Sequence, residues 1–569
     1  MKITNQSFLF SAALALGLHP ALADVRMPAI FGDHMVLQQS VKLPVWGKAD
    51  PGENVTVTIG GRTGSATADA SGKWRVDLEP LTDSSQSQTM TVAGKNTLTF
   101  SDVLVGDVWV CSGQSNMEFG MGTESHVAEE APKAENPLIR LFIVSRNWAF
   151  NPLDDVGKGA PDQPLVGHWK LCTPESLTKM GGWGGFSAVA YYFGKEIQAV
   201  TKKPVGLIQS AFGGKPIQAF ISLEALKAEP ALETYAAQHE KAVADSPALK
   251  AAAEAGKADY EAKLKAWNDQ YGAAQKQAME EWTKAEAAAK AAHTQVPPKP
   301  QPPEPMPTPP PNGSPAPDMA THLFNGMIHP IIPFGIKGLI WYQGEQNGSK
   351  PWDYDKLMAA LIGDWRARWG VGDFPFLFVQ LAAFQTPAKQ PVEKEGWAVI
   401  RDMQRRSLKI SNTGMAVAID IGEATDIHPR DKRDVGYRLA LAARRLAYGE
   451  QVEASGPLYE SMKVEGDKIR LTFQHAKGLK IGAHPQTYPD VPPVAAPPEL
   501  TAFAIAGADQ KWVAAKAVIE GESIVVSSDQ VKEPVAVRYG WAKNPPCHLY
   551  NEACLPASPF RTDDWPLNP

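Results

Sequence analysis

The chain has 569 residues, 44% of them hydrophobic, and its 56 basic and 62 acidic residues leave a formal net charge of −6. That length divides into several domains with sizeable cores, and the near-balance of charge excludes a protein held to nucleic acid by bulk electrostatics. The apolar and aromatic content excludes a wholly disordered chain.

In chain order, Lys2 precedes a short apolar run from Phe8 to Leu18, and Ala21-Leu22-Ala23 offers a small-x-small site before Asp24. A basic start, a short apolar core and such a site predict a secretory signal over residues 1–23, cleaved near Ala23. The run is shorter than the roughly 20 residues a membrane span needs, and no later run reaches that length. The expected location is therefore secreted or periplasmic, with no membrane partner and no nucleic-acid partner.

Residues 24–102 alternate with period two, as in Val55, Val57 and Ile59 against Thr56 and Thr58. Asp50-Pro51-Gly52 and Ala70-Ser71-Gly72-Lys73 supply turns between such runs, which predicts an N-terminal β-sandwich. Residues 103–223 and 321–449 read differently. Five short, continuously apolar runs are spaced for crossovers: Val103–Cys111, Pro204–Ile208, Ile336–Tyr342, Phe374–Leu381 and Met415–Ile421. Strands buried on both faces have this character, so the expected fold class is α/β, a parallel sheet flanked by helices. Helices are predicted at Ser187–Ala199, capped by Ser187, and at Tyr354–Trp369 and Arg433–Ala447.

Residues 224–320 form an expected insertion. Tyr260, Leu264, Trp267, Tyr271, Ala274 and Ala278 recur at helical spacing in an Ala/Lys/Glu-rich stretch, predicting a helical hairpin broken near Pro247. Pro297–Pro317 then reads as a stiff, extended linker. A solvated helix with its spacer is the favoured reading over a partner-binding arm. From 450 to 569 period-two runs return (Ile469, Leu471 and Phe473; Val535, Val537 and Tyr539), predicting a C-terminal β domain.

Four cysteines are present. Cys547 and Cys554 flank a short polar turn and are the expected disulfide of an oxidising compartment. Cys111 reads as a buried small hydrophobe. No Cys-x-x-Cys pair and no Cys/His spacing points to structural zinc, so no metal and no cofactor is expected.

Ligands of an open parallel sheet bind beyond the carboxyl ends of its strands. The first run leads into Gly113-Gln114-Ser115-Asn116-Met117, the second into Gly213-Gly214, the third into Gly344-Glu345-Gln346-Asn347 and the fifth into Asp426-Ile427-His428-Pro429. A serine, a glycine pair, an asparagine and a histidine are what acyl transfer requires. The serine hydroxyl needs a base, and the tetrahedral oxyanion needs preset N–H donors. Gly213 or Gly214, the Asn347 side chain and the Ser115 main chain are the candidate donors. Each piece alone has a commoner structural explanation: a turn, close helix–sheet packing, a cap, a loop histidine. Their shared strand-end placement raises the joint reading. The pentapeptide around Ser115 is not Gly-x-Ser-x-Gly, so the α/β-hydrolase elbow is not met.

The segments Val108–Glu118, Val205–Ser210, Asn325–Pro330, Trp341–Glu345 and Asp426–Pro429, with Met35–Gln38 and Pro556–Arg561 near the ends, resemble the sialate O-acetylesterase family. That family belongs to the SGNH-hydrolase group of carbohydrate esterases. The resemblance implies an SGNH-like sheet, Ser115 as nucleophile, His428 as base and acid, and an oxyanion hole completed by Gly213 or Gly214 and by Asn347. It departs at the acid: many SGNH enzymes place an aspartate three residues before the histidine, where this chain has Thr425. Asp426 is the expected orienting acid, with Asp420, Glu423 or a main-chain carbonyl as alternatives. Lys215 and Gln346 replace smaller residues.

The implied partner is an O-acetylated carbohydrate. Lys215, Arg430 or Arg433 would meet a sialic acid carboxylate, and Gln114 and Glu345 complete the expected substrate-binding residues. The rivals are deacetylation of xylan or xyloglucan and a non-catalytic sugar-binding protein. A glycosidase using Glu118 and Glu345 is disfavoured, because no other feature supports glycoside cleavage. Trp341 and Trp352 read either as sugar platforms or as buried packing.

Overall fold

The structure is a computed structural model describing residues 24–567, except 158, 160–162, 164, 293, 295, 389–394 and 486–493. The expected signal segment lies outside the described residues. Among the described residues, no helix is long and apolar enough to cross a membrane.

The N-terminal strands are β1 (Val36–Gln38), β2 (Leu43–Lys48), β3 (Asn54–Ile59), β4 (Arg62–Thr67), β5 (Lys73–Leu78), β6 (Ser84–Ala93) and β7 (Thr97–Gly113). β2 pairs with β5, and β3 pairs with β4 and β6, all antiparallel. The period-two pattern is realised as one buried and one wetter face along β3 and β5. β7 has two halves. Thr97–Asp102 alternates and pairs with β6, whereas Val103–Gly113 is buried throughout and enters the central sheet. The division expected at 102/103 falls inside this strand, where Asp102 takes φ +53°.

The central sheet adds β8 (Asn136–Ile143), β9 (Lys170–Cys172), β10 (Val205–Ala211), β11 (Gly338–Tyr342), β12 (Phe376–Gln380) and β13 (Thr413–Val417). Their order is β13-β12-β11-β7-β10-β8-β9, parallel except for the β8/β9 pair. The five apolar runs are β7 and β10 to β13. β8 was not expected, because Pro137 and Arg140 interrupt its apolar run. Successive residues face opposite cores. Val108, Val110, Leu339 and Trp341 face the side of the helices Tyr354–Trp369 and Gly396–Arg406. Trp109, Cys111, Ile340 and Tyr342 face the side of Ala188–Thr201 and Arg433–Leu446. Ser187 caps the first of these two, its hydroxyl accepting the Ala190 N–H at 3.1 Å.

The insertion differs from the expectation. The helix Glu233–Trp267 runs on through Pro247, passes a π turn at Asn268–Gly272 and continues as Ala273–Ala291. The proline-rich segment is the returning partner of this helix rather than a spacer. An extended proline-rich backbone bonds none of its own carbonyls, and side chains of the helix supply the donors: Trp282 Nε1 to Pro297 O (2.8 Å), Trp267 Nε1 to Glu304 O (3.0 Å) and Ser246 Oγ to Gly313 O (2.5 Å).

The C-terminal region is β-rich as expected, with four-stranded antiparallel sheets that include Lys468–Gln474 and Pro534–Tyr539. The expected Cys547–Cys554 disulfide is absent; both residues are free thiols. Cys547 is buried in the core and its Sγ lies close to Gly540. Cys554 is exposed in a left-handed turn, 3.1 Å from Lys480 Nζ. The strand Leu549–Tyr550 intervenes and pairs with Lys480–Ile481, which separates the two sulfurs.

Candidate active site

β7 ends at Gly113, whose φ is +135° and where a Cβ would lie 2.1 Å from Tyr342 O of β11. Glycine is required there for the two strands to run together up to the point where the chain turns. Two residues on, Ser115 opens the one-turn helix Ser115–Glu118. The N–H groups of Ser115 and Asn116, in that first turn, have no intrahelical acceptor. After β13 the chain stays buried through Ile421 and then loops out to His428. His428 Nε2 lies 2.9 Å from Ser115 Oγ.

Three acids could orient the imidazole, and their partners separate them. Asp420 is buried and bonded through both oxygens to Arg438 (2.6 and 2.8 Å). Glu423 accepts the Arg430 N–H at 2.6 Å. Asp426 Oδ1 accepts the His428 main-chain N–H at 2.9 Å and lies 3.3 Å from Nδ1. Of the three, Asp426 is the acid placed at Nδ1, although it sits two residues before the histidine.

A Cβ built on Gly213 would lie 3.3 Å from Ser115 Cβ, so the glycine loop borders the serine directly. The Gly213 N–H donates to Glu118 Oε2 at 2.8 Å, while Arg146 binds Glu118 Oε1 through Nε (2.8 Å) and Nη2. Gly214 takes φ +66° with open space around it. Arg146 and Lys215 both stand over the Phe212 ring, at 4.9 and 5.1 Å.

The family model for carbohydrate esterases described as sialic acid-specific acetylesterases matches residues 105–251 and 319–445, leaving out most of the helical insertion. The sialate O-acetylesterase of Rattus norvegicus is 30% identical over 486 residues, 79% of each chain. That of Homo sapiens is 28% identical over 581 residues, covering 94% of this chain and 92% of the human one. The crystal structure of a carbohydrate acetylesterase from Xanthomonas citri superposes with a TM-score of 0.72 at 33% identity, over 95% of this chain and all of that one. The chain belongs to this carbohydrate esterase family.

In this esterase several expected residues hold loops instead of facing the serine. The Asn347 carboxamide is engaged by neighbouring segments: Oδ1 accepts from Ile217 N (3.1 Å) and Gln343 Nε2 (2.7 Å), and Nδ2 donates to Gln218 Oε1 (3.1 Å). It anchors the segment after the glycine pair, and this uses one of its two amide N–H groups. Gln114 is buried and its Oε1 accepts the Gln346 N–H at 3.2 Å. Arg430 is turned onto Glu423. Lys215 has no carboxylate partner among the described residues, whereas Arg433 lies 3.8 Å from Asp434. Trp341 is fully buried against Phe220 and Trp365, so it is core rather than platform.

Two features of the esterase site escaped the sequence reading. Trp183 meets the His428 ring edge-on, centroids 4.9 Å apart and planes at 82°. It is carried by the Gly181–Gly185 loop, whose Gly181, Gly184 and Gly185 have positive φ. A tryptophan between two glycine pairs was the available signal. The second is Asn116, which donates to Glu345 Oε1 (2.5 Å) and to Ile427 O (3.1 Å), and accepts from Lys432 Nζ at 2.6 Å. It ties the serine turn to the carbonyl preceding His428. Lys432 is fully buried over the Phe119 and Tyr342 rings, and burial pulls its ammonium down to about 8. Burial pushes the Glu345 carboxyl up, and its Oε2 has no hydrogen-bond partner.

Proposed function

We propose that this esterase removes O-acetyl groups from carbohydrate by covalent serine catalysis, with O-acetylated sialic acid as its substrate. The observation that carries the reading is the 2.9 Å contact between Ser115 Oγ and His428 Nε2, with Asp426 beside Nδ1. His428 takes the serine proton as Oγ attacks the acetyl carbonyl carbon, then gives it to the departing sugar oxygen. Water, deprotonated by the same imidazole, hydrolyses the acetyl-serine and releases acetate. Asp426 holds the ring so that Nε2 accepts and stabilises the imidazolium that forms. The N–H groups of Ser115 and of the Gly213–Gly214 turn receive the oxyanion. Because Glu118 holds the Gly213 N–H, that donor serves only when the carboxylate swings onto Arg146 alone.

The acidic-sugar reading is supported by Lys215 and Arg146 over Phe212, the residue just before the glycine pair. Work outside the cytoplasm is supported by the character of residues 1–23. Acetate release is the test, comparing O-acetylated sialic acid with acetylated xylan and xyloglucan oligosaccharides, wild type beside Ser115→Ala. Ser115→Ala folds normally and loses roughly four orders of magnitude or more of turnover. Release confined to the plant oligosaccharides would replace the substrate class. Sugar binding with no serine-dependent release would leave a binding protein.

A further inference from the structure

Beside the catalytic loops lies a buried polar cluster that the mechanism above does not use. Glu124 and His126 follow the Ser115 helix, and Asp431 follows His428 by three residues. All three are buried, and one ligand-capable atom from each lies within 4.8 Å of the others. His126 Nδ1 is 3.0 Å from Glu124 Oε1, so an imidazole nitrogen and a carboxylate oxygen already face one another. The glutamate is held in place, because its Oε2 accepts the His126 N–H (2.6 Å) and the Tyr192 hydroxyl (3.1 Å). The Ser125 hydroxyl adds an oxygen 3.1 Å from His126 Nδ1. Asp431 Oδ1 accepts the Asp434 N–H at 3.1 Å, whereas its Oδ2 is buried with no hydrogen-bond partner among the described residues.

Charge sharpens the point. Two carboxylates buried this closely need a proton or a cation between them. The cations of the segment are engaged elsewhere: the Lys432 ammonium on Asn116, and Arg433 3.8 Å from Asp434.

We propose that Glu124, His126 and Asp431 bind a divalent transition-metal ion, Zn²⁺ by the chemistry of the ligands, which clasps the segment after Ser115 to the segment after His428. One imidazole and two carboxylates suit zinc, whereas calcium asks for about six to eight oxygens. The site is structural: it fixes the distance between two catalytic loops and takes no part in bond making.

The experiment strips the full-length protein with EDTA and titrates Zn²⁺, with Mg²⁺ and Ca²⁺ as parallel arms, reading stoichiometry by calorimetry and Tm by thermal unfolding. Wild type takes up one equivalent of zinc and its Tm rises by a few degrees. Asp431→Asn, isosteric and still able to accept the Asp434 N–H, weakens uptake at least about tenfold and loses the Tm response while keeping the wild-type circular dichroism. His126→Gln is the second variant should Asp431→Asn fail to fold, with the same expected loss. Absence of stoichiometric zinc uptake by wild type overturns the proposal, and the cluster then holds a proton. Uptake undiminished in the variants also overturns it, since the ion then sits elsewhere. Preference for Mg²⁺ or Ca²⁺ over Zn²⁺ overturns the choice of ion.

Discussion

Ser115 and His428 are 313 positions apart in the chain, and they meet because β7 and β13 end at the same edge of one parallel sheet. Among the neighbouring acids the local partners make a sharp prediction. Asp426→Asn should lower kcat by roughly 10²- to 10⁴-fold with the fold intact, because the imidazole loses its orienting charge. Glu423→Gln should cost far less, since that carboxylate faces Arg430; steady-state kinetics on both variants checks the assignment. At this scale the sequence made legible which strand-end motifs come together, those of Ser115, His428 and the glycine pair. It was not legible where a side chain's partner comes from a distant segment. The partners of Asn347 are such a case, since Ile217, Gln343 and Gln218 all bond its amide from other segments. Glu124 and His126 carry no ligand spacing with Asp431, 305 and more positions further on, so no local pattern announces the cluster. The cysteine expectation failed for a related reason, because closeness in sequence does not determine which way two side chains point.

Among elements, the insertion carries a pH dependence at its base. His239 Nδ1 is 2.9 Å from the Thr321 hydroxyl, and the buried His322 Nδ1 lies 2.7 Å from Ala316 O, where the returning segment rejoins the helix. Burial lowers both imidazoles, His322 to about 4. The folded base keeps these rings neutral while an undocked chain protonates them near 6.5. The undocked form therefore binds more protons, and stability is lost as pH falls from about 6.5 to about 4. Hydrogen exchange along Glu233–Ala291 should accelerate through that window, and His322→Gln should flatten the response. The helical stripe through Trp267 and Tyr271 was readable from spacing. That the proline segment would be its partner was not, because hydropathy periodicity registers apolar faces and is blind to indole donors meeting unpaired carbonyls.

For the molecule as a whole, a buried cation helps fasten the C-terminal β domain to the esterase sheet. Arg401 donates to Leu381 O (2.8 Å) and Ala382 O (2.7 Å) at the end of β12, and to Ala542 O (2.6 Å) and Lys543 O (2.8 Å) in the C-terminal domain. Among the described residues it has no carboxylate in hydrogen-bonding contact, and burial lowers its guanidinium to about 9. Arg401→Met would leave buried carbonyls on both sides without donors. It should destabilise the protein by about 3 kcal/mol or more, read as a lower denaturant midpoint. Tyr550 adds a second fastening, its hydroxyl donating to Asp420 Oδ2 at 3.1 Å just ahead of the loop that carries His428. The architecture of a parallel sheet between β-rich ends was visible in the sequence, since continuous apolar runs and alternating runs are distinct patterns. The hinge-free junction between them was not, because β7 changes from one pattern to the other without a turn.

That junction has a mechanical meaning. The backbone that pairs with β6 in the N-terminal sandwich is the same backbone that runs down the middle of the central sheet and stops two residues short of Ser115. A pulling force on the N-terminal strands is therefore transmitted along a single strand, bent only at Asp102, to the position of Ser115. For the same reason the N-terminal strands are poorly suited to exchange by gene recombination, since no crossover point separates them from the strand that leads to Ser115.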